Sequence, residues 1–109
     1  MEIKHQVSEF GLSHQTREAI VSVFEKYKQV EKAVLYGSRA MGTYRNGSDI
    51  DLTLFGEQLD LSILHLIEDE LDELFLPYKI DLSLHDHINN AALKDHIATV
   101  GKVLYTKSN

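Results

Sequence analysis

Two short stretches of the chain, residues 49–54 and 79–84, alternate strictly between apolar and polar side chains. This alternation constrains the fold more than any other feature, because side chains on a β-strand point to its two faces in turn. Each stretch is therefore predicted to be a strand with one apolar and one polar face. The apolar faces must be covered, so the chain has to build a sheet against which helices pack.

Helical periodicity occupies most of the remaining chain. Apolar residues three and four apart predict a first helix after Ser13, a second over residues 61–75 and a third over residues 90–100. Residues 33–36 and 103–105 are short apolar runs that add two further strands to the prediction. The expected fold class is therefore α/β (α+β), a small mixed β-sheet with helices packed mainly on one face.

Local signals set the expected helix ends. Ser13 and Asp60 are predicted N-caps, because their side-chain oxygens can accept hydrogen bonds from the free amides of a first helical turn. Pro77 prevents the second helix from continuing, and Gly101 is a suitable stop for the last one. The apolar stripe of the second helix predicts that Phe75 belongs to the core.

Composition limits the class of protein further. A chain of 109 residues without repeats or linkers predicts a single domain over residues 1–109, in which residues 1–10 form either a loose arm or an extra helix. A net charge of −6 argues against a broad grip on nucleic acid, and the absence of cysteine excludes disulfides and thiolate metal sites. No apolar run approaches a membrane span and no signal-peptide pattern is present, so we expect a cytoplasmic protein.

Three aspartates fall on the polar faces of the two alternating strands. Asp49 and Asp51 lie two residues apart, which places their Cα atoms about 6.6 Å apart on one face. Asp81 occupies the same kind of position on the other strand, and it joins them if the two strands are neighbours. Carboxylates suit hard divalent cations, so this set predicts a Mg²⁺ or Mn²⁺ site, with room for two ions about 3.5–4 Å apart.

A glycine and a serine follow the first predicted strand. Gly37 permits a sharp turn and close approach of a ligand, and Ser38 is predicted to cap a short helix there. Free amides at such a turn attract phosphate, and Arg39 and Arg45 could add charge-assisted contacts. These residues therefore predict a phosphate site next to the carboxylates.

The arrangement of Gly37-Ser38, ten residues, Asp49-Ile50-Asp51 and a later Asp81 resembles the signature of the polymerase-beta nucleotidyltransferase superfamily. Within that superfamily the chain is similar to the minimal, MntA-like antitoxin group, over about residues 19–105. The resemblance implies a metal-dependent transferase in which two Mg²⁺ ions are held by the aspartates. It also implies that Gly37 and Ser38, with Arg39, contact the phosphates of a nucleoside triphosphate.

The resemblance further implies the substrates and the partner. A nucleoside monophosphate, AMP from ATP, would pass to a hydroxyl acceptor, with Asp81 helping to activate that hydroxyl. Minimal members act as antitoxins of small helical HEPN-type toxins, and some transfer AMP to a tyrosine of the toxin. This chain has Met41 where many relatives carry a second arginine.

Other interpretations stay open at this point. A second hypothesis is a non-catalytic antitoxin that neutralises its partner by occlusion, since an acidic surface suits a basic RNA-binding partner. A small-molecule nucleotidyltransferase is a third alternative, for which the sequence provides no acceptor domain. His85 and His87 lie two residues apart, but a third ligand for zinc is not evident.

Overall fold

The structure is a computed structural model that describes residues 9–108. The elements of this range, in chain order, are α1 (His14–Glu25), β1 (Lys32–Tyr36), α2 (Ser38–Met41), β2 (Ile50–Phe55), α3 (Leu61–Asp72), β3 (Ile80–Leu84), a 3₁₀ turn (His85–His87), α4 (Ala91–Val100) and β4 (Lys102–Thr106). Residues 1–8 and 109 lie outside this description, and so does most of the segment predicted as an arm or extra helix. The extent of the domain over 1–109 therefore stays a prediction.

The helices begin where their capping residues stand. The side chains of Ser13, Asp60 and Asn90 accept hydrogen bonds from backbone amides in the first turns of α1, α3 and α4. Helix α3 ends at Asp72, three residues earlier than the sequence indicates. Phe75 has a positive φ of 53° and is 88% exposed, so its expected place in the core is wrong. The chain leaves the helix by a left-handed turn that points this ring outward.

The four described strands form one mixed sheet in the order β3-β2-β1-β4. Strand β1 is antiparallel to both β2 and β4, whereas β2 and β3 run parallel and are connected through α3. The two strands predicted from strict alternation are therefore neighbours. This parallel pairing decides where the three aspartates lie.

The period of two along the strands divides the sheet into two faces. One face buries the main core, in which aliphatic residues of β1, β2 and β3 pack against α1 and α3. The other face holds a smaller cluster of Val34, Tyr36 and Ile97, which joins α4 to β1. The predicted fold class is confirmed, with α4 as the helix on the second face. Among residues 9–108, no helix combines the length and the apolar character that crossing a membrane requires.

Candidate active site

A row of polar residues crosses three strands on the α4 face of the sheet. The register pairs Tyr36 with Asp51 and Asp51 with Asp81. Residues paired in this way project to the same face as immediate neighbours. The expectation that Asp51 and Asp81 share a face is therefore confirmed, because β2 and β3 pair in parallel without offset.

The next polar row lies two residues further along the same strands. Ser83 Oγ donates a hydrogen bond to Thr53 Oγ1 at 3.0 Å, and Thr53 is fully buried. Thr53 Oγ1 in turn donates to the Ser83 carbonyl at 3.5 Å, so both hydroxyls of this row are bonded within the sheet. The aspartates are left as the reactive groups of this face.

Negative charge is concentrated at the row. Burial raises the pKa of Asp51, and the charges of Asp81 and Asp49 raise it further. Burial also raises the pKa of Tyr36, against a hydrogen bond with Ser83 that lowers it. Tyr36 is therefore a neutral phenol beside carboxylates that repel one another. Such an arrangement favours a bound cation.

Asp49 lies just before β2 and is exposed. It is two residues from Asp51, and its charge acts on the Asp51 carboxyl, so the three aspartates form one electrostatic group. Their oxygen atoms fit the preference of Mg²⁺ or Mn²⁺. Within residues 9–108, no three possible ligands already converge as a closed metal cage.

The turn after β1 touches this group. Gly37 has φ 75° and ψ −156°, a conformation that essentially only glycine adopts, and its carbonyl accepts from Met41 N at 3.1 Å. A Cβ atom at this position would lie 3.3 Å from Asp51 Cγ and closer still to Oδ2. The predicted proximity of the glycine turn and the carboxylates is therefore present in the structure.

The local geometry of the turn differs from the expectation in one respect. Gly37, and not Ser38, is the N-cap of α2, and it makes no side-chain capping bond. Ser38 is the first residue of the helix, and its carbonyl accepts from Thr43 N at 3.0 Å. The unusual ψ of Gly37 lets its backbone take the capping position, so the serine hydroxyl is not used for this purpose.

Arg39 has a different place from the one its sequence position suggests. Its side chain is 3% exposed, and its guanidinium donates to the carbonyls of Ser48, through Nε and Nη2, and of Phe10, through Nη1. The group also lies against the rings of Tyr44 and Tyr78. We expected this guanidinium at a phosphate, and the structure instead commits it to holding the loop together. Its predicted contact with a phosphate stays a prediction.

The other two loop residues named from the sequence are exposed. Arg45 lies at the surface, and its backbone amide donates to Ser48 Oγ at 2.8 Å. Met41 stands where the resemblance leads us to expect a second arginine. It is 49% exposed, and it leaves this part of the α2 surface without a charge. A cleft of about 820 Å³ lined by Arg39, Arg45 and Tyr78 lies next to the loop, but none of the three aspartates lines it.

Sequence reasoning missed His96. Its Nε2 accepts a hydrogen bond from Gly37 N at 3.1 Å, and its ring meets Tyr36 edge-on at 6.1 Å. One signal was available, because His96 stands three residues after Leu93 and next to Ile97, within the inward stripe of α4. A histidine in such a stripe is more often simply packed, so sequence alone did not distinguish it.

A mixed sheet that carries a row of aspartates beside a Gly-Ser turn defines a nucleotidyltransferase domain. A model of the family described as "Polymerase beta, Nucleotidyltransferase" matches residues 18–109. The chain belongs to this family. A search of curated protein sequences gives no significant match.

Solved structures provide a second comparison. A toxin–antitoxin complex with AMP-PNP contains a chain that superposes with a TM-score of 0.68 at 22% identity, covering 84% of this chain and 73% of that one. The MntA–HepT toxin–antitoxin gives 0.65 at 18% identity, with 87% and 74% covered. A tri-AMPylated Shewanella oneidensis HEPN toxin in complex with MNT antitoxin gives 0.63 at 18%, with 85% and 71% covered. At these identities the likeness establishes the shared fold.

Proposed function

We propose that this protein transfers AMP from ATP to a hydroxyl group on a small helical HEPN-type partner, and that it thereby acts as the partner's antitoxin in the cytoplasm. The observation that carries the proposal is the contact between the Gly37 turn and Asp51 within a row of carboxylates. A turn that would bind phosphate and carboxylates that would favour a cation are thus adjacent. Nucleotidyl transfer needs both, because the reacting group is a metal-bound triphosphate.

The residues divide into two tasks. The turn formed by Gly37 and Ser38 would hold the phosphates through its free backbone amides, and Asp49, Asp51 and Asp81 would hold Mg²⁺, or Mn²⁺ in its place. When bound, the cations would neutralise the triphosphate and lower the pKa of the incoming hydroxyl. The acceptor oxygen would bond to the α-phosphorus while the bond to the bridging oxygen breaks and pyrophosphate leaves. The exposed Asp81 would take the hydroxyl proton.

The position of the site supports a macromolecular acceptor. Strand β3 is at one edge of the described sheet, and Asp81 on it is exposed, so a partner can approach the carboxylates from that side. The structural neighbours described as toxin–antitoxin complexes, one with an AMPylated HEPN toxin, support the kind of partner. The net charge of −6 suits a basic RNA-binding protein.

The test is a labelling reaction with the purified chain, the protein encoded beside it, Mg²⁺ and ATP labelled at the α-phosphate. We expect label on the partner from α-labelled ATP and none from γ-labelled ATP. The variant Asp49→Ala/Asp51→Ala should lose transfer, whereas Asp72→Ala, which removes an exposed carboxylate on α3, should retain it. Absence of label with the wild-type protein would overturn the proposal.

A cellular assay separates catalysis from occlusion. Cells that express the partner toxin are protected by wild-type protein under either interpretation. If Asp49→Ala/Asp51→Ala protects them equally well, neutralisation does not need transfer and the protein acts by covering its partner. We expect this variant to fail to protect while still binding the partner.

A further inference from the structure

We propose that His96 is a positioning residue that holds the phosphate-binding turn in its active shape from the opposite side of the site. The proposal rests on the function proposed above and adds a residue to it. His96 would act through the Gly37 backbone and would not contact the reacting atoms. It therefore links α4 to the turn between β1 and α2.

The first argument is that hydrogen bonds hold the peptide groups on both sides of Gly37. On the N-terminal side, the Gly37 N–H donates to His96 Nε2 at 3.1 Å, and the two residues are 59 positions apart in the sequence. On the C-terminal side, the Gly37 carbonyl accepts from Met41 N at 3.1 Å, within α2. A glycine is otherwise the freest residue of a chain, and this one has a conformation that other residues rarely adopt. Two bonds from different elements restrict it to that conformation.

The second argument is that the imidazole is itself held in place. His96 is half-buried beside Ile97, which packs with Val34 and Tyr36 on the second face of the sheet. Its ring stands at 81° to the Tyr36 ring, in an edge-on contact. Because Nε2 accepts from an amide, the ring must be neutral with its proton on Nδ1. The lone pair of Nε2 is thereby directed at one backbone group.

The third argument concerns which backbone amides of the turn remain free to bind phosphate. With the Gly37 amide engaged by His96, the phosphates would be held by amides that follow it, beginning with Ser38. The orientation of those amides depends on the Gly37 dihedral angles. Loss of the His96 bond should therefore weaken nucleotide binding more than it weakens folding.

The experiment compares two substitutions at one site with a matched control. His96→Gln keeps an acceptor near the position of Nε2, whereas His96→Leu keeps the volume and removes the acceptor. His65→Leu makes the same change at an exposed position on α3, away from the site. For each variant, KM and kcat for MgATP in the labelling reaction, ATP affinity by calorimetry and the melting temperature are measured.

We expect His96→Leu to raise the KM for ATP about fivefold, the effect of one lost neutral hydrogen bond, with a smaller change in kcat. The KM for ATP of His96→Gln should stay within about twofold of the wild-type value, and that of His65→Leu should equal the wild-type value. Equal loss in His96→Gln and His96→Leu would assign His96 to packing alone and overturn the proposal. Tighter ATP binding by His96→Leu would also overturn it, because His96 would then compete with phosphate for the amide.

Hydrogen exchange of the Gly37 amide, followed by NMR without nucleotide, gives a readout that does not depend on the proposed function. Exchange should be faster in His96→Leu than in wild type and protected again in His96→Gln. If the wild-type protein binds no ATP, the proposed function fails. The exchange rate of the Gly37 amide then still shows whether His96 holds the turn. Unchanged exchange in His96→Leu would refute that hold.

Discussion

Gly37 offers the sharpest test of how the site is built, through the substitution Gly37→Ala. The added Cβ atom meets two obstacles in the structure. The backbone angles of φ 75° and ψ −156° are nearly confined to glycine, and the new methyl group would press on the Asp51 carboxylate. Alanine at this position must therefore either shift the turn or push Asp51 out of the row.

The expected cost follows from these two effects. Forcing a residue with a side chain into such a backbone region costs about 1–3 kcal/mol. Inserting a methyl group into occupied space costs about 1–3 kcal/mol more. A loss of about 2–6 kcal/mol is a large part of the roughly 5–15 kcal/mol that typically holds a domain together. For a chain of this size it should lower the melting temperature by at least about 10 °C.

A matched control separates strain from clash. Gly42 also has a positive φ, 82° with ψ 10°, but a Cβ atom there would meet nothing within 4 Å. Gly42→Ala should therefore cost only the backbone strain, about 1–2 kcal/mol. Urea denaturation of both variants measures the two free energies of unfolding, and the difference between them contains the contact with Asp51 together with the difference in backbone strain.

A double-variant cycle then identifies the partner. Asp51→Ala removes Cγ and both oxygens but keeps Cβ, which would lie at an ordinary 3.6 Å from the new methyl group. Gly37→Ala should therefore cost about 1–3 kcal/mol less in the Asp51→Ala background than in wild type. If the cost is equal in both backgrounds, or if Gly37→Ala is no worse than Gly42→Ala, the turn does not press on Asp51 and the reasoning is refuted.

Four further predictions address electrostatics and the loop. Burial, and after it the neighbouring carboxylates, raises the pKa of Asp51 in the folded protein. Above this pKa the ionised carboxylate lowers the free energy of unfolding. That loss disappears as the pH falls below 3.8, the ordinary pKa that the carboxyl has in the unfolded chain. Asp51→Asn should therefore melt higher than wild type at pH 7 and equally at pH 3. Added Mg²⁺ should raise the melting temperature of wild type and leave that of Asp51→Asn unchanged. The hydrogen bond to Glu70, with burial second, raises the pKa of Tyr27 to about 12, and Tyr27→Phe should remove this step from an ultraviolet titration. Arg39→Ala should cost about 2–4 kcal/mol in urea denaturation, because it leaves two carbonyls without their charged donor, whereas Arg45→Ala should cost under about 0.5 kcal/mol.

Much of the fold was predictable because its signals are local. The alternation in residues 49–54 and 79–84 has a period that only a strand shares. Strand β3 lies within the second range, and β2 extends one residue past the first, to Phe55. Capping by Ser13 and Asp60 needs only an oxygen and the amides of the next turn, all within a few residues. The outward turn at Phe75 was not predictable, because an apolar side chain gives no indication of a left-handed backbone.

The site was predictable only in part, because only some of its features follow from local sequence patterns. The row of Asp51 and Asp81 follows from strand period, once the two strands are neighbours. The partners of Arg39 are carbonyls, which every residue carries, so the sequence does not distinguish Phe10 and Ser48 from any other residue. The bond between His96 and Gly37 depends on where α4 crosses the sheet, which is decided by packing across 59 residues.

The core and the site depend on each other through the strand period. Leu52 and Leu82 are buried on one face because they alternate with Asp51 and Asp81 on the other. A slip of one residue in either strand would bury an aspartate and expose a leucine, so the core that stabilises the sheet also enforces the alignment of the carboxylates. The raised pKa of Asp51 reflects first the cost of burying this carboxylate and second the cost of holding it beside the like charges of Asp81 and Asp49. That cost is tolerable because the leucines on the opposite face bind the two strands to the helices, and a cation at the row would recover it. Stability and the alignment of the carboxylates are therefore set by the same pattern of alternate residues, and variants that weaken the leucine face should disturb the proposed metal site before the fold is lost.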